Sequence, residues 1–160
     1  MTLLTTPLAI TGRFVVAKYW ADDDLTRARP YEVLEGDNAV LTTGATALWN
    51  RFAGLGSITA FDGTNGRLCV GNGTTPVSVA QTDLTGASTF RKVFDSAPTV
   101  SGRSYTCVTT FAAGEATFTW SEAGIANAAS GGVLFDRALV GFGAKGAGTQ
   151  WVLTGTLSVN

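Results

Sequence analysis

Side chains that alternate between two faces constrain this chain more than any other feature of its sequence. Tyr105, Cys107, Thr109 and Phe111 occupy every second position, which places them on one face of a β-strand. Residues 150–159 alternate in the same way. Threonine occurs 24 times and glycine 20 times in 160 residues, a composition typical of strands joined by tight turns. The sequence therefore predicts an all-β protein.

Two hairpins are predicted where strand-like pieces flank turn-forming residues. The first turns at Gly36-Asp37-Asn38 within residues 31–42, and the second turns at Ala113-Gly114 within residues 105–120. Further strands, which bring the total to seven to nine, are expected at residues 12–20, 67–71, 88–95, 133–140 and 150–159.

One segment changes to a helical period. Apolar residues recur at spacings of three and four, with Thr42 or Thr43 as the N-cap and Gly54 or Gly56 as the stop signal. The apolar positions are Ala45, Leu48, Trp49, Phe52 and Leu55. We expect one short helix at about residues 43–54.

The length fits a single compact domain. The predicted fold is an antiparallel sandwich or partial barrel with one short helix and an extended N-terminal arm. Residues 1–38 are assigned to the arm or hairpin, which would pair with a neighbouring subunit by strand addition or lie along the host lattice, and residues 39–160 to the β-rich core. The candidates for the arm's interface are Phe14, Val16, Tyr19, Trp20 and Tyr31.

The charge composition excludes several classes of partner and chemistry. Charged residues are 14% of the chain, against about 25% in an average domain, and the net charge is −1. We therefore expect neither nucleic acid nor a membrane as a partner. The chain has no histidine, which removes the commonest general base and zinc ligand. We expect no catalytic residue, no cofactor and no bound metal.

Cys69 and Cys107 each lie in a short apolar stretch, where a buried free thiol is the favoured interpretation and a disulfide the alternative. No signal-peptide pattern and no apolar run long enough to span a membrane is found. We expect the chain to be made in a cytosol-like compartment and kept there or released by lysis.

Several motifs suggest chemistry, but each has a simpler explanation. Residues 141–146 match GxGxxG, yet strand-like sequence follows them in place of the required helix. Asp22-Asp23-Asp24 is better explained as a solvated turn than as a cation site. Glu115, Glu122 and Asp136 include a possible carboxylate pair for glycoside hydrolysis, without a polar constellation around them.

Glu122 and Arg137 both lie in apolar segments, and we predict that they form a partly buried structural ion pair between two strands. Trp49, Trp120 and Trp151 could stack on a sugar. Their inward positions in the local period favour packing in the core instead.

The segment from Leu41-Thr-Thr-Gly to Leu48-Trp49, with Val70-Gly-Asn-Gly-Thr-Thr75 and Thr82-Asp-Leu84, resembles small virion proteins of tailed bacteriophages, in which a short helix precedes a GxGxT…TxL segment. The likeness covers about residues 39–158. It continues in the order ExGI…GG…R…K…WxL, as in some phage tail-collar sequences, through Glu122, Ile125, Gly131, Gly132, Arg137, Lys145 and Trp151-Val-Leu153.

The resemblance implies a non-enzymatic structural role in a virion assembled in the host cytoplasm. A chain this poor in charge is also expected to bury surface against other subunits. We expect a capsid decoration, or cement, protein that forms a homotrimer and binds the phage major capsid protein. The alternatives are a tail collar, fibre-adaptor or baseplate component that binds a tail protein, and a carbohydrate-binding or hydrolytic host-recognition module.

Overall fold

The computed structural model describes residues 9–160. Within that range it contains nine strands and one helix, numbered in chain order. The strands are β1 (Ile10–Trp20), β2 (Glu32–Val40), β3 (Arg67–Gly71), β4 (Thr89–Val93), β5 (Thr99–Ser101), β6 (Ser104–Phe111), β7 (Thr119–Ala126), β8 (Leu134–Ala144) and β9 (Thr149–Val159). The helix, α1, spans Thr42–Ala53 between β2 and β3.

The strands form a single antiparallel sheet in the order β4-β3-β7-β8-β2-β1-β9-β6-β5. The sheet curls until the end of β4 meets β6. There the Asp95 amide donates to the Val108 carbonyl (2.9 Å) and the Thr109 hydroxyl donates to the Val93 carbonyl (3.2 Å). The fold is therefore a half-barrel, which confirms the predicted all-β class and the partial-barrel form.

The interior of the half-barrel is filled by aromatic side chains. The Trp120 ring lies 4.8 Å, between centroids, from both Phe111 and Trp151, in edge-to-face geometry. Both tryptophans are buried, as their positions in the sequence predict. Cys69 and Cys107 are buried free thiols, and burial raises the pKa of Cys69 to about 12.

The division of the chain at residue 38 is wrong. β1 and β2 form a hairpin, but this hairpin lies at the centre of the sheet, where β1 pairs with β9 along its whole length and β2 pairs with β8. Residues 10–38 therefore belong to the core and are not an arm. Residues 1–8, the rest of the proposed arm, lie outside the described range.

Both predicted hairpins are also wrong, although the chain does turn at Ala113-Gly114. Gly36 lies inside β2 opposite Phe14, where the absence of a side chain leaves room for Val140. β6 pairs with β5 and β9, whereas β7 pairs with β3 and β8, so residues 105–120 do not form a hairpin. Alternation shows which face each residue occupies, but it does not show which strand lies next to it.

The helix prediction is confirmed to within a residue at each end. Gly54 ends α1 in the left-handed conformation, with φ 67°. The N-cap, however, is Leu41, without a side-chain cap. The Thr43 hydroxyl donates instead to the Leu134 carbonyl at the start of β8 (2.9 Å), which fastens the first turn of the helix to the sheet.

The central position of β1 and β2 predicts the effect of truncation. Removing residues 1–38 deletes β1 and most of β2, so the product should lack a cooperative urea unfolding transition. Removing residues 1–8 spares every strand of the described range 9–160, and this control should unfold cooperatively. A cooperative transition in the chain lacking residues 1–38 would contradict the placement of β1 and β2 at the centre of the sheet.

Candidate functional site

Glu122 on β7 and Arg137 on β8 form an ion pair in the interior. Two guanidinium nitrogens of Arg137, Nε and Nη2, each lie 2.7 Å from Glu122 Oε2, and both side chains are completely buried. The structure thus brings together the two residues that the sequence analysis pairs, and it buries them more deeply than predicted.

The backbone of the β3–β4 connection surrounds this ion pair. Glu122 accepts hydrogen bonds from the amides of Gly73 (3.1 Å), Thr85 (3.0 Å) and Gly86 (2.7 Å). Arg137 donates to the Thr75 carbonyl (3.0 Å), and also to Gln81 and Thr85 side-chain oxygens. A connection without regular secondary structure is therefore fixed to the sheet by one carboxylate and one guanidinium.

Steric crowding around Glu122 explains why glycine occupies both positions of the GxGxT segment, and also position 86. A Cβ atom on Gly71 or Gly73 would overlap the Glu122 carboxylate, and one on Gly86 would overlap the Gly73 amide and the Asn72 side chain. Only glycine allows the connection to approach the carboxylate closely enough for its amides to donate. The GxGxT segment therefore allows backbone amides to bind the buried carboxylate of Glu122, a group of the protein itself.

This arrangement suits a structural role for Glu122. Burial alone raises the pKa of Glu122, but hydrogen bonds from the Thr85 amide, Arg137 and the Gly86 amide outweigh burial and leave the pKa below its ordinary value. Both carboxylate oxygens already accept several hydrogen bonds, and no solvent reaches the group. Glu122 therefore has no open position for a substrate.

The other carboxylates of the hydrolysis alternative are also engaged. Glu115 binds Lys92 Nζ (2.5 Å) and the Ala112 amide (2.7 Å). Asp136 is fully buried and accepts hydrogen bonds from the Ile125 amide (2.8 Å) and from Asn38 Nδ2. Burial raises the pKa of Asp136 to about 8.

The remaining motif residues have structural contacts. Lys145, part of the phage-like pattern, donates to the carbonyls of Ala112, Glu115 and Thr149. Asp24 accepts from the Thr26 amide and hydroxyl within the acidic turn. Within residues 9–160, no cluster of three metal-ligating side chains occurs, and no helix is long and apolar enough to cross a membrane.

The five interface candidates separate into three groups by exposure. Phe14 and Val16 are wrong as interface residues, because their side chains point into the half-barrel and are 0% exposed. Tyr19 is half-buried. Trp20 and Tyr31 are exposed at the end of the β1–β2 hairpin, with stacked rings 4.7 Å apart.

A surface that the sequence analysis misses lies on α1. The helical period predicts Trp49 in the core, yet Trp49 is 60% exposed, and Phe52 is 85% exposed. The helix packs on β8 through small residues instead: Gly44 and Ala47 are its buried positions, and a Cβ atom on Gly44 would overlap the backbone of Phe135. The spacing of these small residues, three apart, is the signal in the sequence that could have revealed this packing face.

The outward side of α1 and the residue just past its end therefore carry an apolar surface, called the α1 face, formed by Leu48, Trp49, Phe52 and Leu55. The Trp49 and Phe52 rings meet edge to face, with centroids 6.3 Å apart. Such a surface is unusual on a chain that remains alone in water.

A groove with a volume of about 660 Å³ adjoins the α1 face. It opens between α1, residues 58–61 and the strands β5, β6 and β9, and Leu48 belongs to both surfaces. Its inner wall includes Phe61, Ile125, Phe135 and Leu157. The groove and the α1 face are the parts of the described surface most suited to binding.

No family model, curated protein or solved structure matches this chain. The resemblance to phage virion proteins therefore stays a prediction.

The ion pair predicts a large, specific loss of stability. Glu122→Gln keeps the shape of the side chain but leaves Arg137 buried without a counter-charge, and should lower the free energy of unfolding by about 3 to 5 kcal/mol. Urea denaturation measures it. The control is Glu35→Gln, which breaks the exposed Arg13–Glu35 pair and should cost less than about 1 kcal/mol. Equal losses in the two variants would contradict a special role for the buried pair.

The raised pKa of Asp136 predicts that the stability of the fold depends on pH. Its pKa is about 8 in the folded protein and near 3.8 when unfolded, so the folded state binds the extra proton between these values. The contribution of protonated Asp136 to the free energy of unfolding is complete below about pH 4 and is lost as the pH rises through 8. The free energy of unfolding then falls by up to about 1.4 kcal/mol per pH unit. Urea unfolding at pH 6, 7 and 8 should show this decline. Asp136→Asn should flatten it, and an unchanged slope in that variant would contradict the assignment.

Proposed function

We propose that this chain is a structural protein of a tailed-bacteriophage virion, and specifically a decoration protein that stabilises the mature head through non-covalent contacts. The observation that carries the proposal is the exposed α1 face. A short helix held to the sheet by glycine and alanine, with its large side chains turned outward, is suited to contact another protein.

The composition of the α1 face supports a protein partner. Tryptophan is enriched among the residues that dominate binding energy at protein interfaces, and large apolar side chains fill the desolvated centres of such interfaces. Phe52 and Leu55 are 85% and 60% exposed. Burying them in a partner would remove much apolar area from water, which favours association without any covalent step.

A second group of exposed aromatic side chains lies at the end of the β1–β2 hairpin. Trp20 and Tyr31 form an exposed stacked pair beside the acidic turn, outside the region of phage resemblance. Two separate aromatic anchors suit a protein that bridges subunits, since one can contact a second copy of the chain and the other the shell. A homotrimer bound to the major capsid protein is the arrangement we favour.

The tail alternative uses the same surfaces, with a collar, fibre-adaptor or baseplate protein as the partner. The sugar-binding alternative is less well supported, because two of its three tryptophans, Trp120 and Trp151, are buried and only Trp49 is exposed for stacking. The contacts of Glu115 and Glu122 likewise give no support to the hydrolytic form of that alternative.

The proposal predicts that attachment depends on the α1 face. The double variant Trp49→Gln, Phe52→Gln should bind at least tenfold more weakly to capsids that lack this chain, because both side chains lose their apolar contact with the partner. Because both side chains are exposed, the free energy of unfolding should be nearly unchanged. The control is Val93→Thr, which alters a partly exposed apolar residue on β4 and should bind normally. Co-sedimentation measures binding, and urea denaturation checks the fold.

Three results would contradict the proposal in different ways. Full binding by the double variant would remove the α1 face from the contact. Failure of the unaltered chain to bind capsids, together with its location on tails in images of whole particles, would favour the tail alternative. Absence from both parts of the particle would reject a structural role in the virion.

A further inference from the structure

The groove beside α1 has the shape and chemistry of a site for a small ligand. Its volume of about 660 Å³ lies within the usual range for small-molecule sites. The inner wall is formed by aliphatic and aromatic side chains, and its one phenol, Tyr105, already donates to the Phe61 carbonyl (2.8 Å). The depth of the groove therefore suits a hydrocarbon and offers little to a sugar or a nucleobase.

The charged side chains that line the groove are both positive. Arg51 on α1 and Arg103 before β6 line the groove and are exposed, which places them at its rim. The side chain of Arg51 makes only a long hydrogen bond, 3.3 Å, to the Ile58 carbonyl. No acidic side chain is among the described residues that line the groove.

We propose that this groove binds a free fatty acid, with the alkyl chain against Ile125, Phe135 and Leu157 and the carboxylate at Arg51 and Arg103. Guanidinium groups bind carboxylates through paired, charge-assisted hydrogen bonds. An apolar interior with a cationic rim discriminates in favour of such a ligand against both neutral lipids and cationic amphiphiles.

Titration calorimetry of the full chain tests the chain-length dependence. Decanoate and dodecanoate are used as monomers, below the concentrations at which they form micelles. Each buried methylene should tighten binding about fourfold, so dodecanoate should bind about fifteen times more tightly than decanoate. Dodecanol has the same chain without the charge, and it should bind at least ten times more weakly than dodecanoate.

Variants at the rim separate the headgroup from the chain. Arg51→Gln with Arg103→Gln should weaken dodecanoate binding at least tenfold and leave dodecanol binding unchanged. Val100→Glu places a carboxylate beside the mouth, at a residue 74% exposed, and should also weaken dodecanoate binding. Arg29→Gln changes an exposed arginine that does not line the groove, and should bind both ligands like the unaltered chain.

Several outcomes would overturn the proposal. No binding of either acid would reject the site, and equal affinities for dodecanoate and dodecanol would reject the role of the arginines. Attachment to phosphatidylglycerol vesicles without binding of monomeric acid would assign the surface to a membrane. Self-association of the chain that prevents dodecanoate from binding, seen by sedimentation velocity, would assign the groove to a second copy of the chain.

Discussion

The buried ion pair between Glu122 and Arg137 holds the β3–β4 connection to the sheet, and this connection contacts the start of α1. Two charges removed from water are costly unless hydrogen bonds satisfy them, and in this fold the β3–β4 connection supplies those bonds. That connection in turn covers a small apolar cluster of Leu41, Cys69, Ala126 and Leu134 with Leu84. Its Val79 carbonyl also accepts a hydrogen bond from the Thr42 amide at the start of α1. The ion pair therefore helps to position the helix.

The position of α1 links this interior to the proposed contacts with other proteins. Because Gly44 and Ala47 bring the helix backbone against β8, the long side chains that follow them point away from the sheet. The same placement forms one wall of the neighbouring groove. The connection held by the ion pair contacts the start of α1, and the close packing of α1 on β8 leaves its large apolar side chains exposed.

Local patterns in the sequence predict local structure well and long-range structure poorly. The alternation around Cys107 and the glycine at 54 identify a strand and a helix end, because both signals act within a few residues. The pattern predicts the wrong face of α1, because helical spacing is the same whether large side chains point inward or outward. It also predicts a turn at Gly36, since nothing local shows that Val140 needs its space. Glu122 and Arg137 can be paired from the sequence, but the amides around them belong to a connection whose path the sequence does not show.

Native-state amide hydrogen exchange can show whether the ion pair holds the β3–β4 connection to the sheet. The amides of Gly73, Thr85 and Gly86 lie outside regular secondary structure, yet all three donate to the buried carboxylate. They should exchange as slowly as amides in the centre of β7, through global unfolding only. Exchange of these three amides at the rate of an exposed loop would show that the connection opens independently, and that the ion pair does not hold it to the sheet.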